Sequence, residues 1–186
     1  ELRIIYSALG TPGCPGIESA WMTSVPCVRF DLKAAKSSWA NVPKEMKEKR
    51  WTLSYSRLGG DDVQKGMEWM QAQWKKNLGL TVDLQPVEQT QYLALLRQSP
   101  PDLFRKGVGL DRSTCLAAVE IFTKGDPENF IRLNSTKYEK AVETLRLTST
   151  VQLRKRACTE VVRLLVENFE LIPLGRIHFS MLAKPQ

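Results

Sequence analysis

The groups that could do chemistry in this 186-residue chain are few: one histidine, four cysteines and a pair of adjacent acids. Any Ser-His or Cys-His arrangement would depend wholly on His178. That residue sits in an alternating terminal run, where Ile177 and Phe179 face the opposite side, and so reads as a surface or packing histidine. Asp61 and Asp62 precede an apolar-periodic run, where acids serve as helix cap and dipole partner. There is no C-x-x-C pair and no second histidine, so no metal site is expected. No G-x-S-x-G, H-E-x-x-H or Walker sequence occurs, and the G-x-x-G-x-x-G at residues 10–16 lacks the G-K-[ST] ending of a phosphate loop. The chain therefore reads as a non-enzyme with no catalytic residue and no cofactor. Cys14 and Cys27, in a Pro/Gly-rich stretch, could close a loop in an oxidising compartment. The alternative is that some or all of the four cysteines are buried thiols packing as small hydrophobes.

The elements that would position such groups belong to an ordinary globular composition, 42% hydrophobic and 25% charged. No run approaches the ~18 apolar residues of a membrane span. The 27 Lys and Arg against 20 Asp and Glu leave a net charge of +7. The basic residues are scattered among acids, and Arg154-Lys155-Arg156, the only uninterrupted basic triplet, falls inside a helical pattern. Nucleic-acid binders gather cations on one face, often beside stacking aromatics, so no nucleic-acid partner is expected.

Residues 8–26 carry too much Pro and Gly for a helix or a central strand and read as a long surface loop. Asp31 is placed to cap a short helix with Leu32, Ala35 and Trp39 on one face. From Trp51 the pattern alternates strand and helix. Trp51-Thr-Leu-Ser-Tyr-Ser alternates at period two and ends at Gly59-Gly60-Asp61-Asp62, with Asp62 a candidate N-cap. Val63, Met67, Met70, Trp74 and Leu78 form one helical stripe ending at Gly79. Leu80–Gln85 reads as a strand, Thr90–Gln98 as a helix, and Leu103–Leu110 as a third strand weakened by Gly107 and Gly109. Thr136-x-x-Glu139 and Ser149-x-x-Gln152 are capping-box spacings that open two amphipathic helices. Leu171-Ile-Pro-Leu174 begins an extended segment that alternates through Ile177, Phe179 and Met181. The class is α/β, a mixed and mostly parallel sheet flanked by helices. The organisation is a single α/β lobe, with residues 1–45 an opening loop plus short helix and residues 51–186 the β/α core.

The order of these segments resembles the extracytoplasmic oligopeptide-binding proteins of bacterial ABC transporters. The likeness is carried by Arg29-Phe-Asp-Leu-Lys-Ala-Ala-Lys36, Trp51-Thr-Leu-Ser-Tyr-Ser and Gln73-Trp-Lys-Lys-Asn-Leu-Gly-Leu-Thr-Val82. It continues through Pro101-Asp102-Leu103, Asn134-Ser-Thr-Lys-Tyr138, Gln152-x-Arg154-Lys155-Arg156 and Phe169-Glu-Leu-Ile-Pro173-Leu174. The resemblance implies a periplasmic-binding-protein type II lobe, the C-terminal one of a larger two-lobed receptor whose N-terminal lobe is missing here. It further implies a periplasmic or extracytoplasmic location, a peptide or similar small solute as ligand, and an ABC permease in the membrane as partner.

In that family a Gly-Trp-x-x-Asp turn after the third strand lines the peptide, its acid pairing with the ligand's α-amino group. The resemblance places Arg105, Gly107, Val108, Gly109, Leu110 and Asp111 there, with Asp111 as the anchoring acid and Arg105 a basic neighbour. Val108 stands where the family has Trp, and Arg112-Ser-Thr-Cys115 replaces its Tyr-x-Asp-Pro. An acid in a closing cleft suits an ammonium group, because charge-assisted bonds strengthen as water leaves. The competing role for Asp111 is the N-cap of a helix over 116–122. The departures also keep open an alternative function, a degenerate lobe that serves as a sensory or protein-interaction module.

Overall fold

The computed structural model of the chain describes residues 19–25, 27, 30–167 and 171–174. They divide into two units, one spanning Asp31–Gly109 and the other joining the residues up to Phe30 with those from Leu110 onward. Cys14, His178, Phe169 and the alternating run 177–181 lie outside the described residues. Leu171–Leu174 carries neither helix nor strand.

In the unit Asp31–Gly109, α1 (Leu32–Ala40) starts where the Asp31 carboxylate accepts the Ala34 amide at 2.8 Å, the expected cap. Leu32 and Trp39 are half-buried on its inner face, while Ala35 is exposed. A short helix α2 (Lys44–Glu48) leads to β1 (Trp51–Ser56), then α3 (Gly60–Leu78), β2 (Val82–Val87), α4 (Gln89–Gln98) and β3 (Leu103–Arg105). The strands form a parallel sheet in the order β2-β1-β3, with Trp51 opposite Val82 and Leu53 opposite Leu103. The expected α/β class with helices flanking a parallel sheet holds.

β1 is central, and this changes the meaning of its alternation. Leu53, Ser54, Tyr55 and Ser56 are all buried, so the serines face a covered surface. Buried hydroxyls need partners. Ser54 Oγ donates to Gln85 Oε1 at 2.7 Å, and Ser56 Oγ to Gln89 Oε1 at 2.5 Å.

The α3 stripe is as expected, with Met67 buried and Val63, Met70, Trp74 and Leu78 half-buried. Its end is set by Gly79 in the left-handed region at φ 70°, a conformation that costs residues with a Cβ. Its start differs from expectation: the helix begins at Gly60, and Asp61 and Asp62 lie within the first turn, stabilising the dipole. Gly59 is needed before it, because a Cβ there would lie 2.3 Å from Val63 Cγ2.

Asp102 ties the foot of β3 to the sheet. Its Oδ2 accepts the Thr52 amide at 3.2 Å, and its other oxygen pairs with the Lys49 ammonium. The Lys49 hydrogen bond comes first among the causes that hold the Asp102 carboxyl below the usual aspartate range. A depressed folded pKa contributes stability that is complete above the unfolded pKa and disappears as pH falls through the folded one. Acid titration of wild type should therefore show this contribution intact above about pH 5 and declining progressively as pH falls below about 4. Denaturant midpoints of Asp102→Asn should lie below wild type at neutral pH and converge with it under acid; a constant gap would refute the linkage.

In the other unit, a 3-10 turn (Ser19–Trp21) brings Met22 into the core, so the opening loop is more than a surface strap. Thr23 reaches Thr159 Oγ1 through its amide at 2.9 Å and its hydroxyl at 3.0 Å. The helices are α5 (Cys115–Glu120), α6 (Thr136–Leu147) and α7 (Val151–Glu167). Val119, Leu133, Tyr138, Val142, Leu145, Cys158, Val161, Val162 and Leu165 form their common core. Both capping boxes shift by one residue: Ser135 Oγ accepts the Tyr138 amide at 3.3 Å, and Thr150 Oγ1 accepts the Leu153 amide at 3.4 Å. Glu139, free of the box, accepts the Lys124 amide at 2.8 Å. Cys115 and Cys158 are joined by a disulfide, with Cα atoms 6.1 Å apart, bolting α5 to α7. Cys27 is also disulfide-bonded.

Candidate functional site

The carboxyl ends of β1, β2 and β3 lie on one side of the parallel sheet, because all three strands run the same way. In open α/β sheets that edge is where ligands sit. The register sets Tyr55 of β1 beside Arg105 of β3, so the segment after Arg105 leaves the sheet alongside Ser56.

Two anchors hold β3, one at each end. The Tyr92 hydroxyl of α4 donates to the Arg105 carbonyl at 2.7 Å, and the Ser54 carbonyl lies 3.3 Å from the same oxygen. Burial pushes the Tyr92 phenol up to about 12, so it remains a donor at neutral pH. Asp102 anchors the other end of β3, as described. The Arg105 side chain is half-buried, and burial draws its pKa below the usual arginine value. It stays charged at any ordinary pH. A cation held partly out of water at a sheet edge is a suitable partner for an anionic ligand group.

Sequence reasoning missed Tyr92 as a positioning residue. The available signal was weak, a tyrosine on the apolar stripe of a helix, since a buried phenol needs a hydrogen-bond partner.

Beyond Arg105 the strand stops, five residues earlier than the sequence suggests. Lys106 is half-buried, and Gly107, Val108, Gly109, Leu110 and Asp111 are exposed. A Cβ built on Gly107 or Gly109 would meet nothing within 4 Å among the described residues, so open space lies on that side of each glycine. Strand pairing ends here because uncovered glycines supply no side chains to pack against a neighbour. Arg105 to Gly109 belong to one unit, and Leu110 and Asp111 to the other.

Asp111 does not cap the following helix. Thr114 does, its Oγ1 accepting the Ala117 amide at 3.2 Å. The Asp111 side chain is 78% exposed and pairs with Arg112 Nε at 3.3 Å. Arg112 also reaches Glu120 Oε1 at 2.6 Å, so one guanidinium serves two acids. Among the described residues no group of three or more His, Cys, Asp or Glu side chains is placed to hold a metal ion. Nor is any described helix long and apolar enough to cross a membrane.

No protein-family model and no curated protein matches the chain. Solved structures do. The chain is similar to the Escherichia coli murein tripeptide binding protein MppA at 23% identity and TM-score 0.75, over 85% of this chain and 32% of that one. It is similar to Haemophilus influenzae OppA, solved in complex with RPPGFSPFR, at 16% identity and TM-score 0.77, over 94% of this chain and 37% of that one. A third match, the peptide-binding protein of a peptide ABC transporter, has 17% identity and TM-score 0.71 and covers 93% of this chain and 88% of that one. The chain thus spans about a third of the length of the first two. The fold is that of a type II solute-binding-protein lobe.

Proposed function

We propose that the chain is one lobe of an extracytoplasmic solute-binding protein that clamps a peptide and presents it to an ABC permease. The observation that carries this reading is the fold shared with proteins whose own names state peptide or tripeptide binding. The local geometry supports it. Open N–H and C=O groups along Gly107–Gly109 suit an extended peptide that pairs by β-augmentation. Asp111, freed from capping, is available to a ligand ammonium, and Arg105 to a carboxylate. Val108, 46% exposed in place of a tryptophan, offers a smaller apolar contact. The Cys115–Cys158 disulfide fits an oxidising, extracytoplasmic space. The role is capture without turnover.

In this reading the ligand ammonium must displace Arg112 from Asp111. Calorimetry of the full-length protein against pools of short peptides tests it. Asp111→Ala should weaken binding by about ten- to a hundredfold, the range of a hydrogen bond to a charged group. The exposed position of Asp111 leaves the fold intact, which circular dichroism checks. No saturable binding to any pool would overturn the proposal and favour an interaction module.

A further inference from the structure

We propose that the tip of the α6–α7 hairpin docks on an anionic lipid surface, an interaction independent of the peptide site. Leu147 ends α6 and Val151 begins α7, separated only by Thr148–Thr150. Leu147 is 75% exposed, Val151 71% and Leu153 53%. Single exposed aliphatics are ordinary, but Leu147 and Val151 flank one three-residue turn, and Leu153 is exposed two residues further along α7.

Their positions show why the core does not claim them. Leu147 lies two residues past Leu145, roughly 200° around the helix from the buried stripe. Val151 shares the phase of Cys158 but sits about two turns before it, at the uncovered end of the stripe.

The charge along the turn's sequence has one sign. From Thr144 to Thr159 the sequence carries Arg146, Arg154, Lys155 and Arg156 and no acidic residue. Glu143 and Glu160 bound the run, paired with Arg146 at 2.6 Å and Arg163 at 2.6 Å. Arg154 folds over the turn, Nε and Nη2 donating to the Thr148 carbonyl at 3.3 and 3.0 Å, which holds its charge beside Leu147 and Val151. An exposed aliphatic turn with Arg154 held beside it and further cations along α7 matches a surface that is anionic outside and apolar a few ångströms in. A bilayer with acidic headgroups has that profile. A protein partner would need an apolar pocket fitted to these side chains within an acidic rim, whereas a bilayer supplies both layers without a fitted shape.

Cosedimentation of the full-length protein with vesicles is the test. Phosphatidylcholine vesicles containing phosphatidylglycerol should bind it, and pure phosphatidylcholine vesicles should not. The bound fraction should fall as salt rises. Leu147→Ser/Val151→Ser should weaken binding at least tenfold with an unchanged melting curve, because both side chains are exposed. If that double variant fails to fold, Arg156→Gln still tests the claim, with a loss of about fivefold expected for one charge. No vesicle binding, equal binding to both compositions, or binding that these variants leave unchanged would each overturn the proposal. Capture by an acidic peptide without vesicle binding would point to a protein partner and overturn it too.

Discussion

Replacing Cys115 and Cys158 by alanine is expected to lower the stability of the helical unit by about 4 kcal/mol. The bond closes a loop of 43 residues, and removing it returns chain entropy of about that size to the unfolded state. Both half-cystines are buried, Cys158 completely, so the alanines also leave small voids. In a chain of this length the melting point should fall by on the order of ten degrees. Hydrogen exchange should localise the loss: amides of α6 and α7 lose protection while those of β1 and β2 keep theirs. Superimposable melting curves of wild type and the double alanine variant would refute the assignment of this bond as the main staple of that unit.

The second large effect belongs to Tyr92. It is 2% exposed and bridges α4 to the ends of β1 and β3. Tyr92→Ala should cost about 3–5 kcal/mol, the range for deleting a buried aromatic. Tyr92→Phe separates the hydroxyl from the ring. It keeps the packing but leaves the Arg105 carbonyl without its donor, an expected cost of about 1–2 kcal/mol. With the hydroxyl gone, residues 103–109 should exchange faster than the rest of the sheet, and under the proposed function peptide affinity should fall. If Tyr92→Phe changes neither exchange nor affinity, the hydroxyl does not position the segment.

What the sequence disclosed depended on how local each signal was. The Asp31 cap and the α3 stripe ending at Gly79 are set by side chains within a turn of each other, and both appear as expected. The capping boxes slipped by one residue because Ser135-Thr136 and Ser149-Thr150 each present two adjacent hydroxyls, and helix register chooses between them. The extent of β3 was overestimated because hydrophobic patterning cannot show where a partner strand stops. Burial of Ser54 and Ser56 was hidden for a related reason. Alternation marks polar positions, but only the neighbouring helices decide whether water reaches them. The Cys115–Cys158 pairing joins residues far apart in sequence, and spacing alone could not select it among the three pairings of four cysteines. At the candidate site, the resemblance selected the segment 105–111, whereas the roles of Tyr92, Asp102 and Thr114 emerged only from contacts.

The order β2-β1-β3 has a consequence for how the protein responds to being pulled or warmed. β1 is zipped to β2 over six paired positions but to β3 over only three. The crossover from β1 through α3 to β2 is complete in sequence before β3 is reached. Peeling β3 away therefore breaks the shortest ladder and leaves the longer one whole, the behaviour of a separate foldon at the low end of the stability scale. The strand that carries the candidate ligand segment is thus the hinge leaf of this sheet, held shut by Tyr92 at one end and Asp102 at the other.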